Sequence, residues 1–570
     1  MLELILVLFI AIFLAWCLSK YLSKVMANQP MWGDGLFRWI ENPVYRLLGV
    51  SPQQQQMNWK QYSLAFVVSC IFLAVAILAI FMTQAWLPFN PNHAPNMSWD
   101  LALHTVISFL TNTNQQHYSG QAQLSYLSQM TGIVGLQVIT PMMGLALVVA
   151  TLRAFFYQRP SHIAADVAEQ PDQILIGNYW VDVIRPTVRF LLPLCFVWSL
   201  LLNSQGVPAT FQGGPEVQLI DKANSVEIQK IPLGPVAPMV AIKQLGSNGG
   251  GWYGPNSSVP LENPTPFSNL LEMIAILLIP ITVIFMVGHF TQRKKFAYFV
   301  FGSMLFMSII SGAAAVWSES MSSTASQFAV MEGKEQRFGP AASAVWAALT
   351  TQVNNGSVNM MHDSSAPLTG LVELINMLIN AIWGGVGCGL QQFMIYLLLA
   401  VFIAGLMTGR TPELFGRKIE AAEIKLLAII ILIQPLVILA FTALSLSVPG
   451  ISGISNPGPH GISQVFYEYV SAFANNGSGF EGLGDNTVWW NVTCSIALLL
   501  GRFPTLILPL MIATRLAAKR KAPETAGSLQ VETPTFALTL ITIVVLLTLL
   551  QFMPVLVLGP IADQLLFVKG

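Results

Sequence analysis

The nine residues SAFANNGSG at 471–479 decide how this chain is read, because three other stretches share their character: SFLTNTNQQ at 108–116, LGSNGGGW at 245–252 and TQVNNGSV at 351–358. Each is a short, moderately apolar, helix-like run that breaks into Asn, Gly, Ser and Thr before a long apolar segment. Aligning Asn114, Gly249, Gly356 and Gly477 spaces them by 135, 107 and 121 residues. That is room for a span, a re-entrant loop and a second span. Taken singly, an Asn/Gly/Ser cluster is a turn between helices. Four at matching places indicate a pseudo-fourfold arrangement within one chain, the way transport proteins build one central pathway.

Working outward, 54% of the 570 residues are hydrophobic and 9% charged, against roughly 25% charged in a soluble chain. The composition places the protein in a membrane. Lys plus Arg and Asp plus Glu both total 27, so no basic surplus exists and nucleic-acid binding is excluded. The five cysteines, Cys17, Cys70, Cys195, Cys388 and Cys494, lie far apart in or beside apolar runs, which fits neither a disulfide framework nor a zinc cluster. About 20 apolar residues cross ~30 Å of hydrocarbon, and ten segments qualify: 2–22, 62–87, 130–157, 185–203, 267–290, 296–317, 368–407, 424–446, 488–516 and 535–558. The first lacks the basic start and A-x-A site of a signal peptide and is read as a retained helix.

The expected fold is an all-α polytopic membrane protein. Four span–pore-loop–span repeats occupy 61–160, 180–293, 295–410 and 422–521 around one central pore, with 1–60 and 533–570 as additions at the ends. An even number of spans puts both termini on one side. The loops of the opposite side hold twenty Lys and Arg against six on the terminal side, with Arg502 alone inside a span, so both termini are expected outside the cytoplasm.

Non-helical backbone at membrane depth is tolerated only where protein buries it or a watery cavity receives it, since each unsatisfied peptide group costs several kcal/mol in lipid. Four loops on one axis can share such a cavity. Asn and Gly adopt φ > 0 most easily, so they can turn successive carbonyls toward it. Stacked rings of neutral carbonyl oxygens replace the hydration shell of an alkali cation and suit potassium better than an anion or a divalent ion. Each short helix ends at its loop, which aims the negative end of its dipole at the cation site. The segment 448–486 holds Glu468, Glu481 and Asp485 and no Lys or Arg, a balance that draws cations to the mouth.

The seventh apolar segment, 368–407, is too long for one crossing, and its middle reads WGGVGCGLQQ. Gly384, Gly385, Gly387 and Gly389 together cost about 3–4 kcal/mol of helix propensity relative to Ala. An unwound loop below the pore loops follows, serving as gate or side exit; close helix packing through glycine is the other reading. Arg502, in LLLGRFPTLILP, sits at mid-depth, where a lone guanidinium faces a cavity or a partner. Facing the pathway, it raises the barrier to ions passing straight down; bonded to carbonyls or a carboxylate, it is structural.

Ten spans, the loops TNTN, SNGGG, NNGS and NNGSG, the GGVGCGL break, the FIAGLMTGRTPELFGRKIE after it and ENPTP after the second loop together resemble the potassium-binding A subunit of bacterial Kdp-type potassium-transporting ATPases, a family within the superfamily of K⁺ transporters. The resemblance covers essentially the whole chain. It implies a K⁺ selectivity filter on Asn112, Thr113, Asn114 and Gln116, on Ser247, Asn248 and Gly249, on Asn354, Asn355 and Gly356, and on Asn475, Asn476 and Gly477, with Asn114 standing where the other repeats have glycine. It also implies an intramembrane tunnel or gate at the glycine loop and Arg502. K⁺ would pass to a P-type ATPase B subunit, in a complex with a small C subunit and a single-span F subunit, in the lipid of the bacterial inner membrane. One departure stands out: such subunits carry Glu just before the glycine run, and this chain has Asn380. Glu373, seven residues earlier on the same helical face, is the candidate substitute at the tunnel entrance.

The chain carries no G-x-x-x-x-G-K-S/T nucleotide loop and no DKTGT phosphorylation motif, and its seven histidines show no metal-ligand spacing. Any ATP hydrolysis is therefore expected on a partner, with K⁺ as the transported ion and no nucleotide here. Two rivals remain: a stand-alone K⁺ or Na⁺ channel or symporter subunit of the same superfamily, and a membrane enzyme with its site on an external loop, which lacks any nucleophile–base or metal constellation.

Overall fold

A helix that crosses hydrocarbon satisfies its backbone internally and needs no amphipathic stripe, so the long elements are apolar all round and are ordered by what covers them. The computed structural model describes every residue except 32, 52–54, 159–168, 221–227, 321–330, 523–528 and 570. Arg159 and Lys222, two of the loop charges that set the expected orientation, lie outside the described residues. Ten helices among the described residues are long and apolar enough to span, as expected. Their order repeats four times as span, short helix, loop, span. Trp59–Thr83 leads to the pore helix Trp99–Leu110 and back through Val134–Phe155; Tyr179–Ser204 leads to Val236–Leu245 and Pro266–Phe290. Lys294–Ser320 leads to Gly339–Val353 and then to a helix in two pieces, Pro367–Ile379 and Cys388–Thr408. Ala421–Ser447 leads to Pro459–Ala474 and Val488–Ala518.

Several spans start on side-chain caps: Asn58 forms a capping box with Gln61, and Thr265 and Thr533 cap helices whose first residue is proline. The fourth span begins at Tyr179, six residues before the expected start, because Asn178 caps it and a π-turn at Thr187–Leu191 carries the helix past Pro186. The second span of each repeat lines the centre. In Pro266–Phe290, 94% of the most apolar window is buried, against 28% in Trp59–Trp86. Leu2–Met26 packs along Pro266–Phe290 and completes its burial. Two short antiparallel ribbons interrupt the helical architecture, Glu216–Gln218 with Ile228–Lys230 and Glu413–Leu414 with Arg417–Lys418.

Candidate ion pathway

The four pore loops share a backbone that their sequences only half disclose. Each pore helix runs into a left-handed residue, Asn112 (φ 63°), Ser247 (51°), Asn354 (55°) or Asn475 (57°), and a second follows two places on: Asn114 (58°), Gly249 (70°), Gly356 (86°) or Gly477 (103°). Between them, the N–H groups of Thr113, Asn248, Asn355 and Asn476 donate back to the carbonyls of Ser108, Lys243, Thr350 and Ser471 at 2.9–3.0 Å. Asn holds three of the first four places because its short polar side chain tolerates this region best after glycine.

These loops touch one another in cyclic order. A Cβ on Gly249 would lie 1.9 Å from the Asn355 carbonyl oxygen, one on Gly356 2.1 Å from that of Asn476, and one on Gly477 2.1 Å from that of Thr113. The circle closes where the Asn114 amide donates to the Gly249 carbonyl at 3.0 Å. Glycine is demanded twice at these places, by φ and by the neighbouring loop's backbone. Asn114 needs no such clearance because its side chain itself makes the contact.

The side-chain amides brace the circle. Asn355 donates to the Lys243 carbonyl at 2.9 Å and Asn476 to the Thr350 carbonyl at 3.0 Å, the equivalent bond one repeat later. Asn112 donates to the Ser247 carbonyl at 3.0 Å, and Gln116 exchanges two bonds with Gly251, at 2.7 and 3.1 Å. The Oδ1 atoms of Asn355 and Asn476 accept from Ser357 and Ser478 N–H at 3.0 and 2.9 Å. Both ends of the Asn355 and Asn476 amides are thus engaged, whereas Asn114 Oδ1, Ser247 Oγ and Asn354 Oδ1 are buried with no hydrogen-bond partner among the described residues.

Behind the loops lie buried charges that the sequence had assigned elsewhere. Glu468, expected at a cation-attracting mouth, is 1% exposed. It accepts from the Gln115 amide, and its Oε1 lies 3.2 Å from His117 Nε2. His117 Nδ1 meets Asn491 Oδ1 at 2.7 Å, and Asn491 donates to Asp100 at 2.8 Å. Burial acts to lower the His117 pKa, but Asp485, Glu468 and Asn491 outweigh it and hold the imidazole at about 9. Lys243, one of the six loop charges counted on the terminal side, is fully buried, paired with Glu262 and donating to Ser257 at 2.6 Å. The overlooked signal was a charged residue inside a short apolar helix: Lys243 in VAPMVAIKQL and Glu468 in VFYEYV. Such a group must find a partner or remain outside.

Below the loops the seventh span is broken. Asn380 caps the first piece at φ 50°, Gly384, Gly385 and Gly387 are all left-handed, and the N–H groups of Trp383 and Gly384 donate to the Gln352 carbonyl at 3.1 and 2.9 Å. The glycines also meet close neighbours: a Cβ on Gly384 would lie 2.4 Å from Gly389 Cα and one on Gly389 2.1 Å from the Trp383 oxygen, both within the break itself, and one on Gly387 would lie 2.8 Å from Val148 Cγ1 of another span. Asn112, Asn354 and Asn475 share with Asn380, Gly384, Gly385, Cys388 and Arg502 a cavity of about 20 Å³, the scale of one water molecule. Gly387 and Gly389 do not line it. Arg502 is 5% exposed and donates from Nη1 to Cys388 Sγ at 2.7 Å. None of the residues lining the cavity is acidic. Glu373 does not supply the missing carboxylate: it lies about two helical turns from Asn380, fully buried, 3.3 Å from His362.

The potassium-transporting ATPase A subunit family matches residues 5–565 of this chain. A potassium-transporting ATPase potassium-binding subunit from Gloeobacter violaceus is 43% identical over 567 residues, covering 97% of this chain and 96% of that protein. One from Bacteroides thetaiotaomicron is 40% identical over 571 residues, with 97% of each covered. The potassium transporter TrkH from Vibrio parahaemolyticus superposes with a TM-score of 0.51 at 13% identity, over 89% of this chain and 97% of its own, which is a likeness of fold alone. Since the family spans almost every residue, from the first helix through all four pore loops to the last, the chain belongs to the potassium-transporting ATPase A subunit family.

Proposed function

We propose that this chain is the potassium-binding and translocating subunit of an ATP-driven K⁺ uptake complex. K⁺ enters from the terminal side, sheds its water among the carbonyls at Asn112–Asn114, Ser247–Gly249, Asn354–Gly356 and Asn475–Gly477, and reaches the small cavity beneath. From there the glycine loop steers it sideways through an intramembrane tunnel to the P-type ATPase B subunit, while Arg502 opposes direct passage toward the cytoplasm. The small C subunit and single-span F subunit complete the assembly in the bacterial inner membrane, both termini of this chain lie outside the cytoplasm, and ATP is hydrolysed on the partner. One observation carries the reading: three glycines and one asparagine, at equivalent places in four repeats, make the contacts that close four loops into a ring. Asn380 leaves the cavity without the carboxylate that the resemblance implies there, so the polar amides Asn354, Asn380 and Asn475 stand in its place.

The test is K⁺-stimulated ATP hydrolysis by the assembled complex. Gly249→Asp or Gln116→Arg should weaken apparent K⁺ affinity or admit Rb⁺ and NH₄⁺; unaltered ion dependence in both counts against the filter. The fold likeness to TrkH favours one alternative, a stand-alone channel or symporter. It predicts passive K⁺ flux from the purified chain in liposomes, whereas the proposed function predicts little flux until the ATPase partner joins. Copurification of a P-type ATPase with the tagged chain from native membranes separates the two.

A further inference from the structure

The helix Asp34–Leu47 lies between the first two spans, which end at Met26 and start at Trp59, on the side opposite the termini. Its two faces differ in chemistry. Toward the protein it turns Asp34, Glu41 and Tyr45. Glu41 accepts from Arg189 at 2.5 and 2.8 Å, Asp34 pairs with the same guanidinium, and that guanidinium sits 5.5 Å over the Phe37 ring. Arg189 is a buried residue of the span Tyr179–Ser204. These bonds draw the helix sideways against the first half of that span and keep it from standing off in water.

The opposite face carries Leu36, Trp39, Ile40, Val44 and Leu47, all exposed, Trp39 at 78% and Leu47 at 87%. At 3.6 residues per turn they fill an arc of about 140°. Arg46 borders this arc, whereas Arg38 lies on the far side of the helix, ion-paired with Asp34 at 3.3 Å. Behind the helix, a cavity of about 940 Å³ is lined by Asp34 and Glu41 as well as Arg38, Arg153, Arg185 and Arg189, and Arg185 donates from Nη2 to the Gln29 carbonyl at 2.8 Å. At 14 residues the helix is too short to cross the bilayer. An apolar arc of this width, bordered by a cation and tethered between the end of one span and the start of the next, matches what a lipid leaflet accepts: acyl chains against the arc and phosphates against Arg46.

We propose that Asp34–Leu47 is an interfacial membrane helix, its apolar face sunk at the boundary of acyl chains and headgroups in a leaflet containing anionic phospholipid, with Arg46 facing the phosphates. This inference is independent of the K⁺ pathway.

The test uses the assembled complex in lipid nanodiscs of phosphatidylcholine and phosphatidylglycerol in equal amounts, with the photoreactive p-benzoylphenylalanine replacing Trp39 and, in a second preparation, Leu47. Retained K⁺-stimulated ATP hydrolysis certifies each preparation. Illumination should join a phospholipid to the helix at both positions, with phosphatidylglycerol adducts at least threefold in excess, and Arg46→Gln should bring that ratio to about one while Arg38→Gln should leave it unchanged. Crosslinks to another subunit would show a protein occupant, and absence of adducts would place the face in water; either overturns the proposal. Adducts in the mole ratio of the lipids, before the arginines are changed, would overturn the choice of an anionic leaflet.

Discussion

At the scale of single residues, the pore loops separate two demands that usually coincide in glycine. Gly477 has φ 103° and would place a Cβ 2.1 Å from the Thr113 oxygen, whereas Gly450 has φ 78° and nothing within 4 Å. Both resist substitution through backbone strain, about 1–3 kcal/mol, but only Gly477 abuts the next loop. Gly477→Ala should therefore weaken apparent K⁺ affinity by at least about tenfold, or about 1.4 kcal/mol, and Gly450→Ala should leave it unchanged, as read from the K⁺ dependence of ATP hydrolysis. Arg502 offers a second comparison at this scale. Its guanidinium donates to a thiol and faces a cavity whose lining holds no acidic residue, so on the proposed pathway its charge would oppose a passing cation. Arg502→Gln should raise passive K⁺ leak through the reconstituted chain, measured as ⁸⁶Rb⁺ uptake; an unchanged leak would make Arg502 a packing residue.

Among elements, the informative one is the span that stops at Ile379 and resumes at Cys388. Its glycines are not interchangeable. A Cβ on Gly384 would collide with Gly389 Cα at 2.4 Å, while one on Gly385 meets nothing nearer than the Val353 oxygen at 3.4 Å. Gly384→Ala should cost more than Gly385→Ala in both thermal stability and transport rate, since the first drives the loop into the start of the second helix piece on top of strain at φ 60° and the second adds only strain at φ 66°. Equal losses would mean that backbone conformation, and not the fit between the pieces, governs the loop.

In the whole molecule, His460 joins three distant parts of the chain. On the first turn of the fourth pore helix, it bonds Asp363 of the third repeat and Asp563 near the C-terminus, each at 2.9 Å, and Asp363 also accepts from Gln464. Those two carboxylates outweigh the effect of burial and push the imidazole up to about 9 from an ordinary value of 6.5. A pKa raised by folding means that the folded chain binds the proton more tightly. The stabilisation is complete below about pH 6.5 and is lost as pH rises through about 9. The melting temperature of the complex should fall between pH 6.5 and 9 and respond less to pH in His460→Gln; an identical slope in both would locate the titration elsewhere.

Composition and the length of apolar runs were enough to determine ten spans in a membrane, because hydrocarbon imposes one rule on every crossing helix whatever it packs against. The four loops were also legible, since left-handed backbone selects Asn and Gly locally, and the spacing of SFLTNTNQQ, LGSNGGGW, TQVNNGSV and SAFANNGSG exposed the repeat. The break at Gly384–Gly389 was visible for the same reason. What no single stretch contains is who faces whom. That Gly477 answers to Thr113, that Lys243 and Glu468 turn inward to partners, that Glu373 leaves the cavity to Asn380, and that Asp34–Leu47 keeps its apolar face outward were decided by tertiary structure, because the energy of a buried charge or a missing Cβ depends on atoms far away in the sequence or on the lipid beside it.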